Sequence, residues 1–271
     1  MRDLNLPRER ERQEISLRDR SYELRGSESR TLATVGAFRV VSSSDLRDHD
    51  GRPLDPRRGD LRHLREAGLV ETARLAGRRD HVVTLTKEGR QLLQEHRRNT
   101  GQHARQAFYA GVRKPRELAH DVQVYRAYER AAEGIADRGG RIRRAVLDYE
   151  LKREYQRFLQ ERNRDRADSE GRPDRDAEEI ALWAAEHHLP YFDDQVHFPD
   201  VRIEWEDEYG RTREEDIEVT TEHYRGAHAA AAARSGFSRY HSGSVGVFPR
   251  GGGSRGGRGG SGPGLPEEML S

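Results

Sequence analysis

Apolar residues recur at spacings of three through Leu32, Val35, Phe38 and Val41, which predicts a first core helix beginning near Ser27. Before it, residues 1–20 alternate Arg with Glu or Asp and hold few apolar groups, so they are expected to form a mobile charged arm or frayed helix. After it, Ser42, Ser43 and Ser44 offer caps for a short second helix around Asp45 to His49, and Gly51, Pro53 and Pro56 then break the chain. Leu61, Leu64, Ala67 and Leu69 form the buried stripe of a third helix, with Gly68 at its C-terminal cap. Leu69–Leu75 and His81–Leu85 flank residues 76–80 as two strands around a Gly-containing turn would, and Thr86 caps a closing helix that turns Leu92 and Leu93 inward. The predicted order is helix, helix, helix, strand, strand, helix.

Periodicity weakens over residues 100–118, where a Gly and a Pro predict a linker between residues 21–99 and 119–241. Two helices are expected next, Asp121 to Asp137 and Arg141 to Gln160, divided by Gly139-Gly140, then an exposed charged loop and a helix from Ala177 to His188. Val201, Ile203 and Trp205 alternate with polar residues, and Ile217 and Val219 do the same beyond Tyr209-Gly210, which predicts a hairpin. A helix is expected through residues 223–236. Residues 242–271 are Gly- and Arg-rich, cannot bury a core and are expected to be disordered.

Charge changes this picture more than composition does. Charged residues (36%) outnumber hydrophobic ones (33%), so cores must be small. The net charge of +1 conceals an asymmetry: residues 1–120 carry 26 basic and 18 acidic groups, residues 121–271 carry 23 and 30, giving +8 and −7. The basic half is the candidate for a polyanion. Of the basic residues only Lys87, Lys114 and Lys152 are lysine; the rest are arginine, whose planar fork grips phosphates and guanine edges. Absence of cysteine excludes thiolate zinc sites, disulfides and cysteine nucleophiles. No segment approaches the roughly 18 apolar residues of a membrane span, and the N-terminus lacks the apolar core of a signal peptide, so a soluble, cytoplasmic protein is expected. Walker A, nucleophile-elbow and dinucleotide fingerprints are missing, which disfavours ATP- and NAD-dependent chemistry.

The motifs DLRHLREAGLVE, ARLAGRRDHVV and LTKEGRQLL, in this order, resemble the winged helix-turn-helix of MarR- and PadR-type bacterial regulators. That resemblance implies a third helix in the DNA major groove and a wing on the backbone or minor groove. Carried onto this chain, the DNA-binding candidates are Arg57, Arg58, Arg62 and His63 at the helix, with Arg78 and Arg79 at the wing tip. The competing reading is that these arginines only solvate a helix face.

In the second half, a three-residue loop over Glu208 to Gly210 sets paired positions whose numbers sum to 418, which places Asp200 opposite Glu218. Two such carboxylates can share a divalent cation, with Glu150 as a third candidate ligand. HFPDVRIEWE and EDIEVTTEHYR resemble the PD-(D/E)xK, restriction-endonuclease-like fold, and its union with a winged helix is similar to the plasmid replication-relaxation family. The fold class implied is α+β: a winged helix-turn-helix, a helical segment, then a small α/β domain. That family pattern needs a lysine where this chain has Thr220; Lys152 is the candidate substitute. The bland alternative makes Asp200, Glu204, Glu214, Asp216 and Glu218 a solvated hairpin face. His187, His188, His197, His223 and His228 match no standard zinc spacing.

These readings converge on a DNA-binding protein of replication-relaxation type, acting in plasmid or mobile-element replication or transfer. Double-stranded DNA is the expected partner, with a homodimer and replication or conjugation proteins as further candidates and no membrane. The nuclease-like domain is expected to be inactive for want of its lysine, and magnesium enters only if that site cleaves. Two other readings stay open: a winged-helix transcriptional regulator with a sensing or dimerisation domain, and a metal-dependent DNA nuclease.

Overall fold

A hairpin, not an arm, begins the fold. The computed structural model describes residues 4–75, 80–98, 106–112, 117–163, 175–220 and 234–241. Strand β1 (Gln13–Leu17) pairs antiparallel with β2 (Arg20–Leu24), and Ile15, Leu17, Tyr22 and Leu24 point into the core while the intervening charges face out. Leu4 and Leu6 are buried as well, and the Asn5 amide donates to the His96 carbonyl at 2.7 Å. The expected mobile arm is therefore corrected: two apolar residues per strand suffice because helices distant in sequence cover them.

Helix α1 (Gly26–Phe38) runs through the core with Leu32, Val35 and Phe38 buried, as its spacing predicts. Strand β3 (Val41–Ser42) follows. The expected second helix at 45–49 is absent: turns occupy it, because the three serine hydroxyls are not free to cap. Ser43 Oγ and Ser44 Oγ donate to the Asp80 carboxylate at 3.1 and 2.8 Å, and Ser42 Oγ does so too. Helix α2 (Gly59–Glu66) stops in a Schellman motif, where Gly68 (φ +72°) and Leu69 donate to the carbonyls of Arg65 and Leu64. Strands β4 (Val70–Arg74) and β5 (His81–Leu85) pair antiparallel, in a sheet of order β3-β5-β4. The Thr86 hydroxyl caps α3 (Lys87–Glu95) by accepting from the Gly89 amide at 3.0 Å.

Residues 106–112, placed in the expected linker, are instead part of the core. Phe108 is buried, the Tyr109 amide donates to the Gly36 carbonyl (2.8 Å), and the Gly111 amide to that of Leu85 (2.9 Å). A side chain at Gly36 would collide with Leu93, Leu85 and Phe108, so glycine is what lets this segment lie against α1.

Helix α4 (Leu118–Asp137) agrees with expectation, whereas the single helix expected over 141–160 divides into strand β6 (Arg141–Leu147) and helix α5 (Asp148–Gln160). Ala145 and Leu147 pair with Ile203 and Val201, and this pairing with a partner about sixty positions away decides the conformation. Helix α6 (Ala177–Glu186) and the short pair β7 (Tyr191–Phe192) and β8 (Gln195–Val196) precede β9 (Val201–Glu206), β10 (Thr212–Thr220) and β11 (Ser238–His241). The larger sheet has the order β11-β10-β9-β6, with β11 parallel to β10. The helix expected over 223–236 and the 242–271 tail fall almost wholly outside the described residues.

The architecture is mixed α and β, and no helix among the described residues is long and apolar enough to cross a membrane. One hydrophobic cluster runs from Leu4 through α1 and α3 into α4 and the larger sheet as far as Val219. At its junction the Phe38 ring meets Tyr125 and Tyr128 at centroid distances of 5.0 and 4.5 Å, and Arg126 grips Asp45 at 2.7 and 3.2 Å. A core shared this way predicts one cooperative urea transition for the full chain. Phe38→Ala should lower stability by about 3 to 5 kcal/mol; two separable transitions would contradict the shared core.

Candidate nucleic-acid interface and carboxylate sites

Helix α2 buries Leu61 and Leu64, so its period turns Arg62, Arg65 and Glu66 outward. Arg57 and Arg58 stand exposed at its N-terminal end. Arg58 Nε contacts Asp55 at 3.2 Å and Arg62 Nε contacts Glu66 at 2.7 Å, both at the surface. An open groove of about 680 Å³ runs along Arg57, Arg62, Arg65, Glu71 and Thr72. His63 does not join this face. Its Nδ1 lies 2.9 Å from Glu28 Oε1, so the expectation of a DNA-facing His63 is corrected: it sits one position from the outward row and turns to a buried carboxylate. Arg78 and Arg79 lie outside the described residues. Arg65 was missed by sequence reasoning, although its spacing of three from Arg62 would have revealed it.

Beneath this face lie two fully buried carboxylates. Glu28 accepts from Arg12 Nη2 (2.7 Å), the Arg25 amide (3.0 Å) and His63, while Asp60 accepts from Arg25 Nε (2.8 Å) and Ser27 Oγ (2.5 Å). These contacts join the N-terminal hairpin, α1 and α2.

In the larger sheet the register is the expected one: Ile217 pairs Val201 and Thr212 pairs Glu206, so positions sum to 418 and Asp200 stands across from Glu218. The carboxylates are nevertheless engaged elsewhere. Asp200 Oδ2 accepts from the Val219 amide (2.8 Å) and faces His120 Nε2 at 3.3 Å. Glu150 binds Arg144 Nη1 (3.0 Å) and accepts from the Tyr109 hydroxyl (3.2 Å). Lys152 Nζ is held by Asp148 at 2.8 Å, and Thr220, at the position expected for lysine, pairs with His241 Nδ1 at 2.7 Å. No group of three or more His, Asp or Glu among the described residues is placed to hold a metal ion, so Asp200, Glu218 and Glu150 do not converge as the expected ligand set. Glu218 is buried rather than solvated. Nor is the rest of the hairpin face merely wet: Arg202, 4% exposed, makes a fork to Asp216 at 2.7 and 2.8 Å, and Arg144 makes one to Glu204 at 2.7 Å. His187 stacks on Trp183, His197 on Phe192, and His188 contacts Glu214. His223 and His228 lie outside the described residues.

No family model, curated protein or solved structure matches this chain.

A cavity of about 340 Å³ lies between α1 and the α4–β6 wall, lined by Phe38, Phe108, Tyr125 and Tyr128, with Glu129 and Arg143 among its polar groups. Burial holds the Glu129 carboxyl above the usual carboxylate range, partly offset by the Tyr125 hydroxyl, and burial pushes the Tyr128 phenol up to about 12. Sequence reasoning missed this cavity because its walls come from six separate segments.

His120 was likewise missed. Hydrogen bonds to Asp121 and Asp200 outweigh its desolvation and push the imidazole up to about 10 from an ordinary value near 6.5. A raised folded-state value means stability that is full below about pH 6.5 and lost as pH rises through 10. His120→Gln should therefore lower the unfolding midpoint at pH 6 and flatten its decline between pH 7 and 10. An unaltered alkaline limb in the variant would remove His120 from this role.

Proposed function

We propose that this chain is a DNA-binding protein that docks duplex DNA through the outward face of α2, with the β4–β5 hairpin alongside as the wing of a winged helix-turn-helix. The observation that carries the reading is the exposed set of Arg57 and Arg58 just before α2 and Arg62 and Arg65 on it, beside a helix whose inner face buries Leu61 and Leu64 in the core. Carboxylate pairs at exposed sites contribute only about 0 to 1 kcal/mol, so Arg58 and Arg62 can exchange Asp55 and Glu66 for phosphates at little cost. Supporting it further are the net charge of +8 over residues 1–120 and the arrangement of α1, α2, the hairpin and α3. The resemblance to the plasmid replication-relaxation family extends the proposal to replication or transfer of a mobile element. Within it the larger sheet is a scaffold, since Asp200 and Glu150 serve ion pairs that join helices to strands.

A second reading, a winged-helix regulator that senses a small molecule, is favoured by the aromatic cavity between α1 and α4, whose size is that of ligand pockets. A ligand there would touch both α1, which packs on α2, and the sheet-bearing half.

Replacing Arg57, Arg58 and Arg62 with Ala should weaken duplex binding at least tenfold in gel shifts and make the salt dependence shallower by about one unit of slope per lost phosphate contact. Wild-type affinity should itself fall steeply as salt rises. Equal affinity of variant and wild type would take α2 out of the interface.

A further inference from the structure

Arg39 and Arg90 meet in a small, partly open recess at the junction of α1, α3, the 106–112 segment and α5. The space measures about 40 Å³ and is lined by Arg39, Arg90, Tyr109, Ala110 and Tyr149, with no carboxylate among them. The Arg90 side chain makes no ion pair with any described residue, and its Nε is buried without a hydrogen-bond partner. Arg39 is 13% exposed and its nearest carboxylate, Asp121, stands 4.0 Å away, where it also faces His120. Tyr109 directs its hydroxyl to Glu150, and that carboxylate is bound in turn by Arg144.

Two partly buried guanidiniums around one space repel each other, and among the described residues the buried Arg90 Nε has no acceptor, a deficit that an anion between them would fill. The backbone also holds strain here. Arg39 has φ 64° and ψ −52°, and the Val40 amide donates to the Phe38 carbonyl at 2.6 Å, so Arg39 is the centre of a γ-turn of the rare, strained form. Strain of this kind persists where its surroundings require one side chain in one place. What it accomplishes is to turn the Arg39 guanidinium back toward α3.

We propose that Arg39 and Arg90 form a binding site for a tetrahedral oxyanion of the phosphate class. The volume, about three times that needed for one water, suits a single phosphate group and not a nucleotide. Guanidinium forks supply charge-assisted donors, and Tyr109 and Tyr149 line the rest of the recess. The bound anion braces four elements where the two halves of the chain join. The site shares no residue with the α2 groove and does not depend on the DNA-binding reading.

The test is thermal unfolding of the full chain at constant ionic strength, with chloride replaced by inorganic phosphate and, separately, by glycerol 3-phosphate. Wild type should gain about 5 °C at roughly a hundredfold excess over Kd. Arg39→Gly removes one guanidinium and accepts the positive φ without strain, so it should fold at least as well as wild type in chloride and lose the gain. Arg90→Met, which keeps the apolar stem, should lose it too. Stabilisation by inorganic phosphate alone identifies a free ion, and stabilisation by both identifies a phosphate ester whose group enters the space; each supports the site. No gain in wild type, or the same gain in both variants, overturns it.

Discussion

The buried carboxylates Glu28 and Asp60 are the constraint on which the basic half of the molecule depends. An ionised carboxylate without water is tolerated only when charged and polar donors surround it, and the donors here come from three elements. Arg12 reaches in from β1's approach, Arg25 from the end of β2, and His63 from α2. Because these donors are spread over the three elements, satisfying both carboxylates positions hairpin, α1 and α2 together. That is why α2 can carry a row of exposed arginines without drifting: its inner face is held by Leu61 and Leu64 and by a polar anchor at Asp60 and His63.

The same logic of paired charge organises the other half. Arg202 and Arg144 lie under the larger sheet's polar face and fork onto Asp216 and Glu204, and Arg144 extends to Glu150 on α5. A chain so rich in charge and so poor in apolar residues cannot rely on a large core, so partly buried guanidinium–carboxylate forks take over work that packing does elsewhere. Arg90 differs from these arginines: its buried Nε finds no acceptor among the described residues.

Elements with strong local signals were legible in the sequence. The helical period around Leu32, Val35 and Phe38, the Gly68 stop, the Thr86 cap and the alternation on either side of Tyr209-Gly210 each depend on neighbours a few positions away, and each lies where the pattern places it. The register that sets Asp200 across from Glu218 followed from loop length and alternation alone. So did the exposure of Arg62, opposite the α2 stripe, and of Arg57 and Arg58 just before the helix.

Tertiary structure decided whatever depends on a partner far along the chain. Residues 141–147 fit a helical period locally, yet become a strand because Val201 and Ile203 offer a ladder there. Residues 1–20 look like a charged arm until Leu4, Leu6, Ile15 and Leu17 join a core shared with α1 and α3, and Ser42 to Ser44 look like caps until Asp80 claims their hydroxyls. His63 and His120 could not be placed in advance, because Glu28 and Asp200 reach them only through folding. Local periodicity determines which face of an element is apolar; which carboxylate meets which cation is set by the packing of those faces, and the candidate sites of this protein are made of such meetings.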